Sequence, residues 1–192
     1  MNFSENISNK LTEVITEELN YSKDKKEIIA YAIETVILFV SGLLLILVLG
    51  YVFNALMPAV FATIFGVSLR KVSGGAHFNN PLKCLAFGSI IYTMIGVLAK
   101  KLVEYDFTNQ YIFISILGVS LLIVAFLSPV DSEAKPIYSS SLKLKLKISS
   151  VGLVIVAFFV LSFVDNKLLS VSAVLGVAYQ SITLLPIFNR RR

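Results

Sequence analysis

Six apolar runs constrain the fold of this chain more than any other feature of its sequence. Most of them are about 17–25 residues long, which is the length that an α-helix needs to cross a hydrocarbon layer ~30 Å thick. They are continuously apolar rather than alternating, so a β-barrel is disfavoured. The sequence therefore predicts an all-α membrane protein, a polytopic bundle of about six transmembrane helices in a single domain of residues 1–192. The predicted spans are 28–53, 59–69, 81–99, 111–127, 148–164 and 168–188.

The distribution of cationic side chains predicts the orientation of these helices. Six spans place both termini on one side of the membrane, and fourteen of the seventeen Lys and Arg residues then lie on that side. Because positively charged loops stay in the cytoplasm, both termini are expected to be cytoplasmic, together with residues 70–84. The net charge of +5 belongs to these loops, and without an aromatic-rich basic patch it does not indicate nucleic-acid binding. The three exceptions are Lys100, Lys101 and Lys167.

Residues 1–21 are predicted to form an amphipathic cytoplasmic helix. Apolar side chains recur there at helical spacing, while Glu13, Glu17 and Glu18 lie off that stripe. An acidic polar face is not typical of an anchor for anionic lipids. The helix is expected either to pack on the cytoplasmic ends of the bundle or to contact a partner or substrate helix. The apolar stripe comprises Phe3, Ile7, Leu11, Val14, Ile15 and Leu19.

A polar stretch between the second and third spans, residues 70–84, is the candidate catalytic loop. It contains the only histidine, His77, and the only cysteine, Cys84. A cysteine attacks as its thiolate, and a helix start at Asn80-Pro81 would place Cys84 near a positive helix end that favours the anion. His77 is a base that can take the thiol proton. We therefore favour a cysteine–histidine dyad.

Two glycines, Gly74 and Gly75, precede this pair and permit backbone conformations closed to other residues. They are expected to turn His77 towards Cys84, or to present N–H groups to a developing oxyanion. The ordinary alternatives are a cysteine that is a small buried hydrophobic residue and a histidine that is solvated. Two ligands are too few for a metal site, so no metal or other cofactor is expected. No third, orienting group is evident, and the candidates by proximity alone are Ser73, Asn79 and Asn80.

The pattern of Arg70, Gly74-Gly75-x-His77 and Cys84 resembles the accessory gene regulator B (AgrB) family. The resemblance extends to the chain length, to the basic loop with Lys135-Pro136-Ile137 and to the ending from Gln180 to Phe188. It implies a membrane cysteine endopeptidase of Gram-positive bacteria that processes the precursor of a quorum-sensing peptide at the cytoplasmic face. By this resemblance Cys84 attacks the cleavage site and His77 acts first as base and then as acid. The acyl-thioester on Cys84 is then released by cyclisation to a thiolactone or lactone.

The resemblance also implies partners. The expected substrate is an AgrD-like precursor peptide, membrane lipids surround the spans, and a homodimer is one option for the oligomeric state. Cationic side chains are candidates for binding the acidic part of the precursor or lipid headgroups, although setting the topology explains them equally well. Three of them alternate with leucine, a pattern that suggests an extended or interfacial segment. The cationic candidates are Arg70, Lys71, Lys135, Lys143, Lys145 and Lys147.

Two other functions fit the sequence less well. A small transporter or exporter of a peptide or solute would also have six spans, but it would carry ionisable residues at mid-membrane depth. Glu34 is the only clear case, and we favour a hydrated position for it near the interface. No phosphate-binding loop is present, which disfavours ATP-driven export. A scaffold subunit without chemistry is the third alternative, and substitution of Cys84 would separate all three.

Overall fold

In the computed structural model, residues 3–16, 21–76, 80–130 and 139–189 are described, and all regular secondary structure in these ranges is helical. Five helices, α2 to α6, are long and apolar enough to cross a membrane, and α7 is a shorter apolar helix of 16 residues. The chain is thus a multi-pass membrane protein. The helices are α1 (Phe3–Thr16), α2 (Lys23–Val52), α3 (Leu56–Ser73), α4 (Pro81–Glu104), α5 (Gln110–Leu127), α6 (Ser140–Phe163) and α7 (Lys167–Ile182).

Each of the six predicted spans falls on one of the helices α2 to α7, but several boundaries differ: α2 and α6 start five and eight residues before the predicted spans, and α4 ends five residues later. The second span was expected to be short, whereas α3 continues to Ser73. The last was expected to reach residue 188, whereas α7 ends at Ile182 and turns follow it. Pro186 explains this early end, because proline lacks the N–H of a helix and disfavours the helical conformation of the residue before it.

The chain forms two compact units, each with its own internal contacts. The first unit comprises residues 1–45 and 78–89, and the second comprises residues 46–77 and 90–192. In the first unit, α2 and α4 approach closely where a Cβ on Gly42 would lie 3.5 Å from the Leu85 side chain. The Ser89 hydroxyl donates a hydrogen bond to the Gly42 carbonyl at 3.2 Å. A small residue and a hydroxyl therefore join these two helices, as is common between helices in lipid.

The N-terminal helix α1 buries its polar side, which is the reverse of what the apolar stripe predicts. Leu11, Val14 and Ile15 are exposed. Three of the four buried hydroxyls donate to carbonyls one turn or less earlier in α1, at 2.7–3.0 Å, so their burial leaves no donor unsatisfied. The expectation that the apolar stripe docks on the bundle is wrong for these three residues. The buried row is Ser4, Ser8, Thr12 and Thr16.

Ser4 connects α1 to α2. Its hydroxyl donates to the Glu34 carboxylate at 2.9 Å. Glu34 is half-buried, so the carboxylate keeps access to its surroundings while it accepts this bond. This position of Glu34 gives no support to a buried ion site in the middle of α2.

The second unit is built around the close approach of α3 and α7. A Cβ on Gly176 would lie 2.3 Å from the Ala62 carbonyl oxygen, so the two backbones touch. Gly96 of α4 lies in the same way against Ala59, with its added Cβ 2.5 Å from the Ala59 nitrogen. Around these contacts lies an apolar core of Leu69, Ala99, Phe113, Leu117, Val124, Val154, Ala157, Val171, Val174, Val177 and Leu184.

The helix ends of the second unit meet in two groups. In one group the residues that follow α3, α5 and α7 contact one another: the Val130 N–H donates to the Ser73 carbonyl at 2.8 Å, and the Ala76 N–H donates to the Thr183 carbonyl at 3.3 Å. In the other group the Lys100 ammonium donates to the Asn54 carbonyl at 3.1 Å. There Lys167, at the start of α7, lies 3.9 Å from the Asp106 carboxylate that follows α4.

Replacing Gly176 by alanine tests the close approach of α3 and α7. Because the new methyl group would meet backbone rather than a flexible side chain, Gly176→Ala is expected to destabilise the fold by about 1–3 kcal/mol. Gly118 and Gly152 are matched controls in α5 and α6, since an added Cβ there meets nothing within 4 Å. Alanine at these two positions should leave the stability unchanged or raise it by about 0.5–1 kcal/mol. Reversible unfolding in detergent micelles measures the difference, and equal stability of all three variants would contradict the packing.

Candidate active site

The start of α4 places Cys84 as the sequence predicts. Asn80 caps the helix: its Oδ1 accepts the N–H of Leu82 at 2.9 Å and, more weakly, that of Lys83 at 3.4 Å. Pro81 is the first helical residue, where its missing N–H costs nothing. The Cys84 N–H donates to the Asn80 carbonyl at 3.1 Å. The predicted cap at Asn80-Pro81 is confirmed.

Cys84 therefore lies one turn inside the N-terminus of α4 and is half-exposed. The aligned peptide dipoles give this end of a helix a partial positive charge, which stabilises an anion close to it. The Cys84 side chain thus lies close to a partial positive charge.

The segment that leads towards this helix is shorter than the predicted loop of residues 70–84. Arg70, Lys71 and Ser73 belong to the last turn of α3, and the helix is closed by a hydrogen bond of 3.0 Å from the Gly74 N–H to the Arg70 carbonyl. The two cations are favourable there because the C-terminal end of a helix carries partial negative charge. The non-helical part begins at Gly74.

Gly74 and Gly75 both have positive φ angles, of 70° and 133°. A side chain is strained in this region of φ. A Cβ would also collide with neighbours: on Gly74 it would lie 2.4 Å from the Val130 carbonyl oxygen, and on Gly75 it would lie 2.7 Å from the Thr183 hydroxyl. The prediction that the two glycines provide conformations closed to other residues is confirmed.

Side chains from α3 and α7 hold the backbone of this segment. Gln180 donates through Nε2 to the Gly74 carbonyl at 2.8 Å and, with a longer bond of 3.4 Å, to the Ser73 hydroxyl. The Arg70 guanidinium donates to the Ala76 carbonyl. The Ser73 hydroxyl in turn donates to the Gly74 carbonyl at 3.2 Å. Ser73 and Arg70, two of the predicted site residues, thus stabilise the segment from within the chain.

The predicted site residues divide between the two units. Arg70, Lys71, Ser73, Gly74 and Gly75 belong to the second unit, and hydrogen bonds join three of them: Arg70, Ser73 and Gly74. Asn80 and Cys84 belong to the first unit, where the capping bonds join them. The predicted residues that lie outside the described part of the chain are His77, Asn79 and Lys135.

The three lysines that alternate with leucine lie in a helix. Ser139 caps α6, its hydroxyl accepting the Leu142 N–H at 3.4 Å, and Lys143, Lys145 and Lys147 follow in the first turns. The expectation of an extended segment is wrong. Leucine and lysine are both good helix formers, so their alternation does not prevent a helix once a cap starts it. The helix places Lys143 and Lys147 one turn apart on the same side and directs Lys145 to another side, and Lys143 and Lys145 are exposed.

Sequence reasoning missed Gln180 and Thr183 as parts of the site. Both lie in or next to the last apolar run, and both are buried. The available signal was an amide side chain within an apolar segment, which is costly to bury unless it has hydrogen-bond partners. Their partners, Gly74 and Ala76, lie more than a hundred residues earlier in the chain.

Removing the cap tests the position of Cys84. Asn80→Ala should destabilise the first turn of α4 by about 0.5–2 kcal/mol, because two N–H groups lose their acceptor. Asn80→Asp keeps an acceptor oxygen and should behave like the wild type. Amide hydrogen exchange of residues 82–85 measures the effect, with faster exchange expected for Asn80→Ala alone. Unchanged protection in both variants would show that the side chain does not hold this turn.

Substituting Gly74 tests the packing of the segment after α3. Gly74→Ala should lower the stability by about 1–3 kcal/mol, since positive φ and the Val130 carbonyl both oppose a methyl group. Gly88 in α4 is the control, because an added Cβ there meets nothing within 4 Å. Thermal unfolding of the two alanine variants in the same detergent gives the comparison. A Gly74→Ala variant as stable as Gly88→Ala would contradict the described approach to Val130.

Comparison with known proteins identifies relatives over nearly the whole chain. The model of the family Accessory gene regulator B matches residues 8–184. AgrB-like protein 2 of Clostridium perfringens (strain 13 / Type A) is 34% identical over 200 residues, which cover 96% of this chain and 92% of the relative. An AgrB-like protein of Clostridium perfringens (strain SM101 / Type A) is 31% identical over 202 residues, with the same coverage.

A staphylococcal protein is also similar to this chain. Accessory gene regulator protein B of Staphylococcus haemolyticus is 26% identical over 140 residues, which cover 73% of this chain and 71% of the relative. No solved structure matches. The family match includes the ends of α3 and α7 and the start of α4. The chain belongs to the accessory gene regulator B family.

Proposed function

We propose that this protein is a membrane-embedded cysteine endopeptidase that processes a quorum-sensing propeptide, with one peptidase domain over residues 1–192. Family membership implies involvement in the accessory gene regulator system. The observation that carries the chemistry is the position of Cys84, half-exposed and one turn inside a helix that Asn80 caps. This placement puts the proposed nucleophile beside the positive end of a helix.

In the first step the Cys84 thiol loses its proton to His77, and the sulfur attacks the carbonyl carbon at the cleavage site of the propeptide. The oxyanion that forms collapses, the C–N bond breaks, and His77 returns its proton to the leaving amine. The C-terminal part of the propeptide departs with a new amino terminus. The remaining peptide is joined to Cys84 as a thioester.

In the second step a thiol within the peptide attacks the thioester carbonyl. The attacking thiol gives up its proton, the bond to Cys84 breaks, and the Cys84 sulfur takes a proton to regenerate the enzyme. The product is a macrocyclic thiolactone, or a lactone where the peptide supplies a hydroxyl. Exclusion of water from a site at the membrane edge favours this cyclisation over hydrolysis.

The proposed topology has six membrane segments with both termini in the cytoplasm. The two groups of helix ends support it, because six crossings require the ends of α3, α5 and α7 to share one side. Ser73, Val130 and Thr183 meet as this requires, and Asn54, Lys100 and Lys167 belong to contacts of the other group. In the proposed topology, fourteen of the seventeen cations in the sequence belong to cytoplasmic segments. We therefore propose that the site faces the cytoplasm of a bacterial cell.

Substrate binding is assigned to cationic residues on the same face. Arg70 donates from its guanidinium to the Ala76 carbonyl, and its positive charge is assigned a role in attracting the propeptide. Lys143 and Lys145 are exposed at the start of α6, where they would attract an acidic peptide segment or anionic headgroups. Lys71, Lys147 and Lys135 complete the proposed basic surface. A homodimer in the membrane is the proposed assembly.

Trapping the thioester tests the proposal. The purified protein in lipid vesicles is incubated with a propeptide whose ring-forming cysteine is replaced by alanine, so that cleavage occurs but cyclisation cannot. Intact mass should then show a hydroxylamine-sensitive adduct on the wild type and a released C-terminal fragment. Cys84→Ala and His77→Ala should lose adduct formation by at least about 10³-fold, as expected when the nucleophile or its base is removed.

The controls separate chemistry from folding. Wild-type protein alkylated at Cys84 with N-ethylmaleimide has an unchanged sequence and should behave like Cys84→Ala. Thermal unfolding of Cys84→Ala shows whether the variant keeps the wild-type fold. If folded wild type with the correct propeptide gives neither adduct nor fragment, the peptidase function is refuted, and export of the propeptide into the vesicles becomes the function to measure.

A further inference from the structure

Gln180 takes no part in the proposed bond-making and bond-breaking steps, yet its side chain is fully buried in α7. A primary amide is costly to remove from water unless its donors and its acceptor are all satisfied. Among the described residues, Oε1 of Gln180 is buried and accepts no hydrogen bond. An apolar side chain of the same length would avoid this cost, so stability alone does not explain a glutamine here.

The donors of Gln180 are directed at the segment between α3 and α4. Nε2 lies 2.8 Å from the Gly74 carbonyl oxygen. A carbonyl can only accept, so the amide must present nitrogen rather than oxygen to Gly74, and its orientation follows from chemistry. The same nitrogen lies 3.4 Å from the Ser73 hydroxyl and 3.0 Å from the position of a Cβ on Gly75. One side chain therefore bonds to Ser73 and Gly74 and fills the space beside Gly75.

Thr183 provides a second contact on the same segment, one turn further along. Its carbonyl accepts the Ala76 N–H at 3.3 Å and also accepts from Asn189 Nδ2 at 2.8 Å. Its hydroxyl donates to the Gln180 carbonyl at 2.7 Å, which fixes the rotamer of Thr183 beneath Gly75. The end of α7 thus forms a platform under residues 73–76, and Ala76 is followed directly by His77 in the sequence.

We infer that Gln180 is a positioning residue for the proposed peptidase: it fixes the backbone at Ser73–Gly75 and thereby directs the chain that carries His77. This inference rests on the proposed function. Gln180 does not touch the reacting atoms, and it acts through the placement of the His77 imidazole. Successive Cα atoms are only ~3.8 Å apart, so a displacement of Gly74 is transmitted to His77 over a few peptide units.

A double-mutant cycle with His77 tests this role. The rate at which iodoacetamide alkylates Cys84 is measured in lipid vesicles for the wild type, Gln180→Met, His77→Ala and the double variant. Gln180→Met removes the amide at nearly constant volume and is expected to slow alkylation about tenfold or more when His77 is present. In the His77→Ala background the same substitution should change the rate by less than about twofold, because Gln180 acts through His77. Equal slowing in both backgrounds would overturn the inference, since a general loss of structure does not depend on His77.

The steady-state kinetics of propeptide cleavage provide an independent test of the positioning role. Gln180→Met should lower kcat about tenfold or more and leave KM within about threefold, because binding of the propeptide does not involve this residue. Ser181→Ala is the matched control: Ser181 is equally buried, but its hydroxyl donates within α7 to the Val177 carbonyl at 2.9 Å. It should retain wild-type kcat. A Gln180→Met enzyme with wild-type kcat would also overturn the inference.

Two further measurements distinguish a failure of the positioning role from a folding defect and from a failure of the proposed function. If Gln180→Met fails to fold, Gln180→Asn keeps the amide but withdraws it from Gly74 by one methylene. Gln180→Asn should slow alkylation in the same way, only when His77 is present. Slowing that does not depend on His77 would refute the inference. If the wild type itself forms no adduct with the propeptide, the proposed function fails and the positioning role falls with it. An active wild type with an unaffected Gln180→Met refutes the positioning role alone.

Discussion

The contact between the backbones of α3 and α7 is the constraint on which the rest of the structure depends. In lipid, apolar side chains gain nothing by leaving the solvent, so helices associate through close packing and hydrogen bonds. Gly176 lets α7 rest directly on the Ala62 carbonyl, and Gly96 does the same for α4 against Ala59. Such backbone contact leaves little freedom for sliding. It brings the end of α7 beside the end of α3.

The chain must also satisfy the polar groups that each helix leaves at its ends. At the end of α3 the partners come from distant segments: the Val130 N–H donates to the Ser73 carbonyl, and the Gln180 amide donates to the Gly74 carbonyl. At the start of α4 the partner is local, because Asn80 caps its own helix. The end of α3 is thus held by tertiary contacts, and the start of α4 is held by a cap from its own sequence. The α3 side therefore depends on the fold of the second unit, and the side of Cys84 depends on a few neighbouring residues.

The difference between local and tertiary partners explains which features could be predicted from the sequence. The helices, the cap at Asn80 and the need for glycine at positions 74 and 75 could be predicted from apolar run length and local residue type. The structure confirms these three predictions. The burial of Ser8 and Thr12 in α1 was missed, because periodicity marks Leu11 and Val14 as the face to pack and says nothing about hydroxyls that bond within their own helix. The contact of Gln180 with Gly74 joins residues 106 positions apart. No local pattern in a single sequence carries such information.

That separation along the chain has a consequence for biosynthesis. A ribosome adds about 5–20 residues per second, so roughly 5–20 s pass between the synthesis of Gly74 and that of Gln180. During this interval α3 is already complete and α4 is finished, but the segment after α3 still lacks the platform that the end of α7 provides. A nascent chain therefore carries Cys84 before Gln180 exists to hold Gly74. On the proposed function, unfinished or truncated chains in the membrane are expected to be inactive towards the peptides around them.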